Sequence, residues 1–176
     1  MMRRLYFAGQ QRCTCLTSFV YWAGIILLVS TMRLTAYTDY SIRVLIYLAV
    51  STEERATIRE IAQQYDISRN HLMKVVQELS QRDYVVALRG KNGGLKLKRP
   101  ASEIRLGELV KAMENDMALA ECLGDNNQCI VTPACKLKFM LAEALQAFLS
   151  TLDSYTLEDI VSGPEKADLI RILNLN

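Results

Sequence analysis

Two short helical periodicities, separated by a turn too tight to let them run together, constrain this chain more than any other feature. Ile58, Ile61, Ala62 and Tyr65 recur at three- and four-residue steps, and so do Leu72, Val75, Val76 and Leu79. Thr57-Ile58-Arg59-Glu60 is a capping box that opens the first helix: the Thr57 hydroxyl accepts from the Glu60 amide while the Glu60 carboxylate reaches back. Asp66-Ile67 makes the turn, and Ser68 stands as N-cap of the second helix. Upstream, Ile42, Leu45, Ile46 and Ala49 predict a helix over 40–50 with one buried stripe. Two short helices joined in this way form a helix-turn-helix, whose second helix enters a major groove by its N-terminal residues.

That second helix carries Arg69, Asn70, Lys74 and Gln77 on the face opposite its apolar one, with His71 in the first turn. Arg and Asn side chains match the edges of guanine and adenine, although a merely solvated polar face is the alternative. The next stretch weighs toward DNA. Residues 84–89 are β-prone, and Leu95-Lys96-Leu97-Lys98 alternates apolar with basic, which predicts a strand pair. Gly90-Lys91-Asn92-Gly93-Gly94 between them is a hairpin turn whose glycines permit positive φ. Arg89, Lys91, Lys96, Lys98 and Arg99 make the hairpin a cationic wing of the kind that grips phosphates, with a winged helix used for protein contacts as the other reading. The expected contact set on double-stranded promoter DNA is Arg59, Ser68, Arg69, Asn70, His71, Lys74, Arg89, Lys91, Asn92 and Lys96.

The net charge of +2 hides a change of sign: +3 over 1–31, +5 over 32–100 and −6 over 101–176. A basic half joined to an acidic half implies that one binds an anion and the other has a different task. A single His in 176 residues argues against histidine-rich zinc sites and catalytic triads, and no GxSxG accompanies it, so an enzyme is not expected.

The acidic half holds Cys122, Cys129 and Cys135, spaced C-x6-C-x5-C in a polar loop. Buried structural thiols are the usual role of cysteine, yet Gly-Asp-Asn-Asn-Gln is poor core sequence. A disulfide leaves one cysteine over, and zinc prefers closer pairs with a fourth Cys or His. An iron–sulfur cluster tolerates wider loops and asks for thiolates. Thr132 as N-cap and Pro133 at N1 would start the next helix, putting Cys135 in its first turn where the macrodipole favours an anionic sulfur; Lys136 and Lys138 follow. Residues 104–113, with Leu106, Leu109, Val110 and Met113, predict one more helix before this loop. After it, Leu137, Leu141, Leu145, Phe148 and Leu152 mark a long helix suited to pairing with a second subunit, and Thr156-Leu157-Glu158-Asp159 opens a short final one. The expected fold is mostly α with a small β-hairpin: a winged helix-turn-helix over 32–100, then a cysteine loop and dimerisation helices over 101–176.

Residues 1–31 differ from the rest. The run FVYWAGIILLV is too short for a membrane span; a signal peptide fits it better, and a start of translation at Met32 fits a cytoplasmic protein with no membrane partner. Cys13 and Cys15 fall in this segment and receive no role.

MRLTAYTDYSIRVLIYLA, SRNHLMKVVQELS, the RGKNGG wing and the loop ending in TPAC together resemble the winged-helix iron–sulfur transcription regulators, in particular their nitric-oxide-sensitive repressors. The resemblance runs from Met32 to about Ile160. It implies Cys122, Cys129 and Cys135 as ligands of one cluster per subunit, [2Fe-2S] or [4Fe-4S], in a homodimer that releases promoter DNA when nitric oxide meets the cluster. Residues 59–82 correspond to the DNA-binding unit, and Asp39 of the partner subunit is suggested as an oxygen ligand. The branch that regulates cluster biogenesis is similar but uses a His near its cysteines, whereas here the one His is His71. The same cysteines could also serve a general redox regulator or an electron carrier.

Overall fold

Helix α1 (Ala36–Val50) begins four residues before the predicted periodicity because Thr35 caps it, its hydroxyl accepting the Thr38 amide at 3.3 Å. The structure, a computed structural model, describes residues 33–51, 55–90 and 93–175. Lys91, Asn92 and the whole 1–31 segment, with Cys13 and Cys15, therefore lie outside the described residues. The predicted stripe on α1 is too narrow. Ile42, Ile46 and Ala49 are half-buried, while Thr38, Ser41, Val44, Leu45 and Val50 are the fully covered ones, because other elements pack around α1 on several sides.

Helix α2 (Ile58–Tyr65) starts in the predicted capping box, with the Glu60 amide donating to Thr57 Oγ1 at 3.2 Å and the Thr57 amide donating to Glu60 Oε2 at 2.6 Å. It ends where Asp66 takes up left-handed φ (52°), and the Ile67 amide closes on the Ala62 carbonyl at 2.9 Å. Ile67 is buried there, which turns the chain into α3 (Arg69–Gln81). Ser68 does occupy the N-cap position of α3, but its hydroxyl makes no capping bond; it is exposed. Leu72, Val75, Val76 and Leu79 are all buried, as their spacing predicts.

Strands β1 (Val85–Leu88) and β2 (Gly94–Leu97) pair antiparallel with Val85 opposite Leu97. Gly90 supplies the positive φ (104°) that the turn needs, and the Gly93 amide returns to the Gly90 carbonyl at 2.9 Å. Buried Leu95 also bridges Ala56 through both backbone bonds, 3.0 and 2.7 Å, which fastens the hairpin to the segment entering α2.

Helix α4 (Leu106–Met113) starts two residues later than predicted. Ile104 is buried but extended, because it and its neighbour pair with 155–157: Leu157 N–H donates to Ile104 O at 2.8 Å and Leu106 N–H to Tyr155 O at 3.0 Å. The long helix α5 (Leu137–Asp153) lies against α4. Gly107 is the point of closest approach. A Cβ there would meet the Asp153 carboxylate and stand 2.6 Å from the Leu149 carbonyl. Gly107→Ala is therefore expected to cost about 1–3 kcal/mol of stability through overpacking, whereas Gly124→Ala, whose Cβ meets nothing closer than 3.5 Å, leaves the urea midpoint nearly unchanged. Equal midpoints for the two variants would contradict this packing.

Helix α6 (Leu157–Val161) opens in a second capping box formed by Thr156 and Asp159. It is not the final helix. Helix α7 (Glu165–Ile172) follows, a mostly exposed segment whose anchor, Leu173, lies buried just past its end; its terminal carbonyl at Ile172 accepts from Gln64 Nε2 of α2 at 3.3 Å. A single apolar cluster runs from Val44, Leu45 and Ile61 through Leu72 and Leu79 to Ile104, Leu109, Leu157 and Leu173. Among the described residues, no helix is long and apolar enough to cross a membrane.

Candidate nucleic-acid interface and metal centre

Helix α3 divides cleanly into two faces. One is buried against α1 and α2; the other exposes Arg69, Asn70, His71, Lys74 and Gln77. Ser68 precedes them, with its hydroxyl uncommitted by any cap. Arg59, at the second position of α2, is exposed as well. The N-terminal amides of α3 and the side chains of Arg69 and Asn70 thus lie together at one exposed end. This is the geometry that a phosphate or a base edge meets when such a helix enters a groove. Sequence periodicity did not single out Met73, which is 49% exposed on the same face. Its position four residues after Arg69 was the available signal, masked because Met is normally read as core.

The wing is cationic, but less uniformly than its sequence predicts. Arg89, just past the end of β1, and Lys96, within β2, are exposed. Lys98 instead donates to Asp83 in the turn after α3, an ion pair that holds the Asp83 carboxyl below its usual range. Arg99 folds back over the Tyr84 ring, 4.3 Å from its centroid, and reaches the Arg82 carbonyl at 3.5 Å. Burial raises the Tyr84 phenol above its ordinary value, with the Arg99 charge acting in the opposite direction. Lys98 and Arg99 thus brace the base of the wing more than they arm its tip, a correction that follows from Asp83 and Tyr84 standing within reach. Lys91 and Asn92 lie outside the described residues.

The cysteine loop departs from prediction at one point. Thr132–Ala134 forms an isolated 3-10 turn with Pro133 inside it, and α5 begins only at Leu137. Thr132 does not cap α5, because its hydroxyl is engaged with the Asn127 side chain at 3.1 and 3.3 Å. Cys135 is therefore extended and lies just ahead of α5, not in its first turn. Asn127 also accepts the Cys129 amide at 3.0 Å, and Glu121 accepts the Gln128 amide at 2.8 Å, so two side chains set the path of the wide x6 gap. Cys122 sits in a further 3-10 turn, Glu121–Leu123. All three thiols are half-buried and unoxidised. An open groove of about 540 Å³ separates this loop from α5, with Leu123, Gly124, Leu145 and Leu149 among its walls.

The donor chemistry fits an iron–sulfur cluster: three free, half-buried thiols on one loop whose backbone is held by side chains outside the sulfurs. The loop as it stands does not gather them, since among the described residues no three His, Cys, Asp or Glu side chains converge as a metal site. Asp39 lies in the first turn of α1, paired with Arg43 of its own helix at 2.8 Å.

Along α5 the predicted stripe is real but largely uncovered. Leu137 and Phe148 are exposed, Leu141, Leu145 and Leu152 are half-buried, and Leu149, which the stripe omitted, is the one fully buried residue of the helix. Phe139 and Met140 of α5, and Ile130 and Val131 of the loop, are exposed as well.

A helix-turn-helix with its reading face open and a two-stranded wing beside it define the class: this is a winged-helix, DNA-binding transcription regulator. The chain belongs to the Rrf2 family, described as "Iron-dependent Transcriptional regulator", whose pattern matches residues 34–163. It is 48% identical over 137 residues to the HTH-type transcriptional regulator NsrR of Oceanobacillus iheyensis, covering 77% of this chain and 93% of that protein. To the NsrR of Bacillus subtilis it is 46% identical over 146 residues, covering 82% and 99%. Among solved structures, CymR of B. subtilis, titled the global cysteine regulator, superposes with a TM-score of 0.60 at 26% identity over 74% of this chain and 96% of that one. IscR of T. potens gives a TM-score of 0.62 at 20% identity over 77% and 90%, a likeness of fold.

Proposed function

We propose that this chain is a dimeric transcriptional repressor of the cytoplasm that holds promoter DNA while Cys122, Cys129 and Cys135 hold an iron–sulfur cluster, and that releases it in response to nitric oxide. The observation that carries the reading is the triplet of free, half-buried thiols on one ordered loop in a chain of an iron-dependent regulator family, 46–49% identical to proteins named NsrR. When bound, such a cluster supplies iron that reacts with nitric oxide.

The chain's own residues divide the work. The three thiolates are the ligands, with Cys135 standing just ahead of α5. In the DNA-binding half, Arg69 and Asn70 read base edges while Ser68, His71 and Lys74 contact nearby backbone or bases. Arg59, Arg89, Lys91, Asn92 and Lys96 hold phosphates on either side. The uncovered apolar face of α5 pairs with a second copy, which sets two α3 helices about 34 Å apart for adjacent half-sites. Asp39 of the partner subunit is the proposed fourth ligand. It is placed near the start of a helix that packs on α3, and its present pairing with Arg43 would have to open.

Coupling between loop and DNA requires only that the two states differ in operator affinity, and about 2–3 kcal/mol gives roughly 30–150-fold. The proposal is tested by anaerobic purification with iron and sulfide counts, followed by anisotropy on a duplex from the protein's own promoter. Metal-free material with unaltered promoter binding would sink it.

A further inference from the structure

Two polar contacts, joined through the first turn of α1, connect the entrance of the cysteine segment to the middle of the recognition helix. Glu114 caps the end of α4 and is the first residue of the segment leading to Cys122. Its Oε1 accepts the Thr35 amide at 2.7 Å and the Thr35 hydroxyl at 3.2 Å. Thr35 is the N-cap of α1, so the residue that ends α4 also fixes where α1 starts. Two residues further on, Tyr37 donates its hydroxyl to the Lys74 carbonyl at 3.0 Å, across 37 residues of sequence and onto the centre of α3. Burial raises the Tyr37 phenol above its ordinary value and the Glu78 carboxylate adds to the rise, so it stays protonated and able to donate. A cavity lined by Tyr37, Glu78, Ala112, Met113 and Asn115 lies alongside.

We propose that Glu114, Thr35 and Tyr37 act as a strut that positions α3, so that displacement of the cysteine segment at Glu114 moves the start of α1 and, through Tyr37, the recognition helix. Tyr37 and Glu114 are positioning residues and touch no DNA themselves. The part of this inference that concerns the cysteines rests on the proposed function above; the strut itself rests on the hydrogen bonds alone. A packing contact would hold α3 in place without passing on a change made elsewhere. A strut passes it on, and the difference is measurable as coupling.

Two measurements on the full chain decide the matter. In hydrogen–deuterium exchange, Tyr37→Phe keeps the ring and removes only the donor, and Glu114→Gln keeps the shape and weakens the acceptor. Both are expected to speed exchange in the peptide spanning 69–81 by about two- to tenfold, the loss of one net hydrogen bond, with the 85–97 hairpin unaffected. Unchanged exchange over 69–81 in both variants overturns the strut. The second measurement is a double-mutant cycle by anisotropy on a duplex from the protein's own promoter. Cys129→Ser is expected to change affinity in the native background and to change it at least about threefold less when Tyr37 is Phe. Strict additivity overturns the strut as a transmitter. If Cys129→Ser leaves affinity unchanged in the native background, the proposed role of the cysteines fails, and the exchange result alone then upholds or overturns the strut.

Discussion

Cys129→Ala will abolish the visible-absorbing chromophore of anaerobically prepared protein and remove most of its iron and acid-labile sulfide, while far-ultraviolet circular dichroism stays as in the native chain. The two halves of this expectation have separate causes. Cys129 is half-buried in a polar loop and belongs to no part of the apolar cluster, so removing its sulfur costs the fold little. A three-thiolate site reduced to two loses most of its hold on a cluster, since each ligand contributes to a binding free energy that only the folded loop supplies. The Cys129 amide is fixed by Asn127, whose side chain also holds Thr132. Asn127→Ala is accordingly expected to weaken cluster retention with all three sulfurs present. An unaltered spectrum in Cys129→Ala would remove that residue from the ligand set.

The second large effect is expected on DNA. Arg69→Ala will weaken binding to the protein's own promoter by about 1–3 kcal/mol, roughly 5- to 150-fold, and relax base preference at one position in each half-site. Lys96→Ala, on the exposed edge of the wing, will weaken promoter and random duplexes alike and lower the slope of log affinity against log salt by about one. Binding by both variants equal to that of the native chain would show that the open face of α3 does not meet DNA. The contrast has its basis in the structure. Arg69 stands in the first turn of a helix whose opposite face is entirely buried, so its direction is set; Lys96 lies on a two-stranded hairpin fastened at its base by Ala56, Asp83 and Tyr84.

Much of this architecture was written locally in the chain. The capping boxes at Thr57 and Thr156, the turn at Asp66-Ile67 and the glycines of the wing act within a few residues, so their sequence determines their shape. The apolar stripe of α3 matched its buried face because one side only is covered. The misread features depend on contacts distant in sequence. Thr35, which caps the true start of α1, is itself held by Glu114, 79 residues away. Ile104 is extended because it pairs with Leu157, and Lys98 and Arg99 are drawn inward by Asp83 and Tyr84. Thr132 looked like a helix cap on local grounds, yet Asn127 takes its hydroxyl and α5 starts further on. Helix α7 escaped notice because half of its residues are charged, most are exposed, and its anchor, Leu173, lies past its end. At the candidate centre the thiols were evident as residue types, whereas the loop path between them, held by the Asn127 and Glu121 side chains, was not.

In the proposed mechanism the state of a cluster on the cysteine loop governs the hold of α3 and the wing on DNA. The most direct test is to prepare the chain without oxygen, count iron and sulfide, and follow its affinity for a promoter duplex during stepwise addition of nitric oxide. Iron and sulfide are expected in fixed ratio to protein, with an affinity that falls by roughly 30–150-fold as the chromophore changes. Affinity that stays constant while the chromophore is consumed would contradict this mechanism.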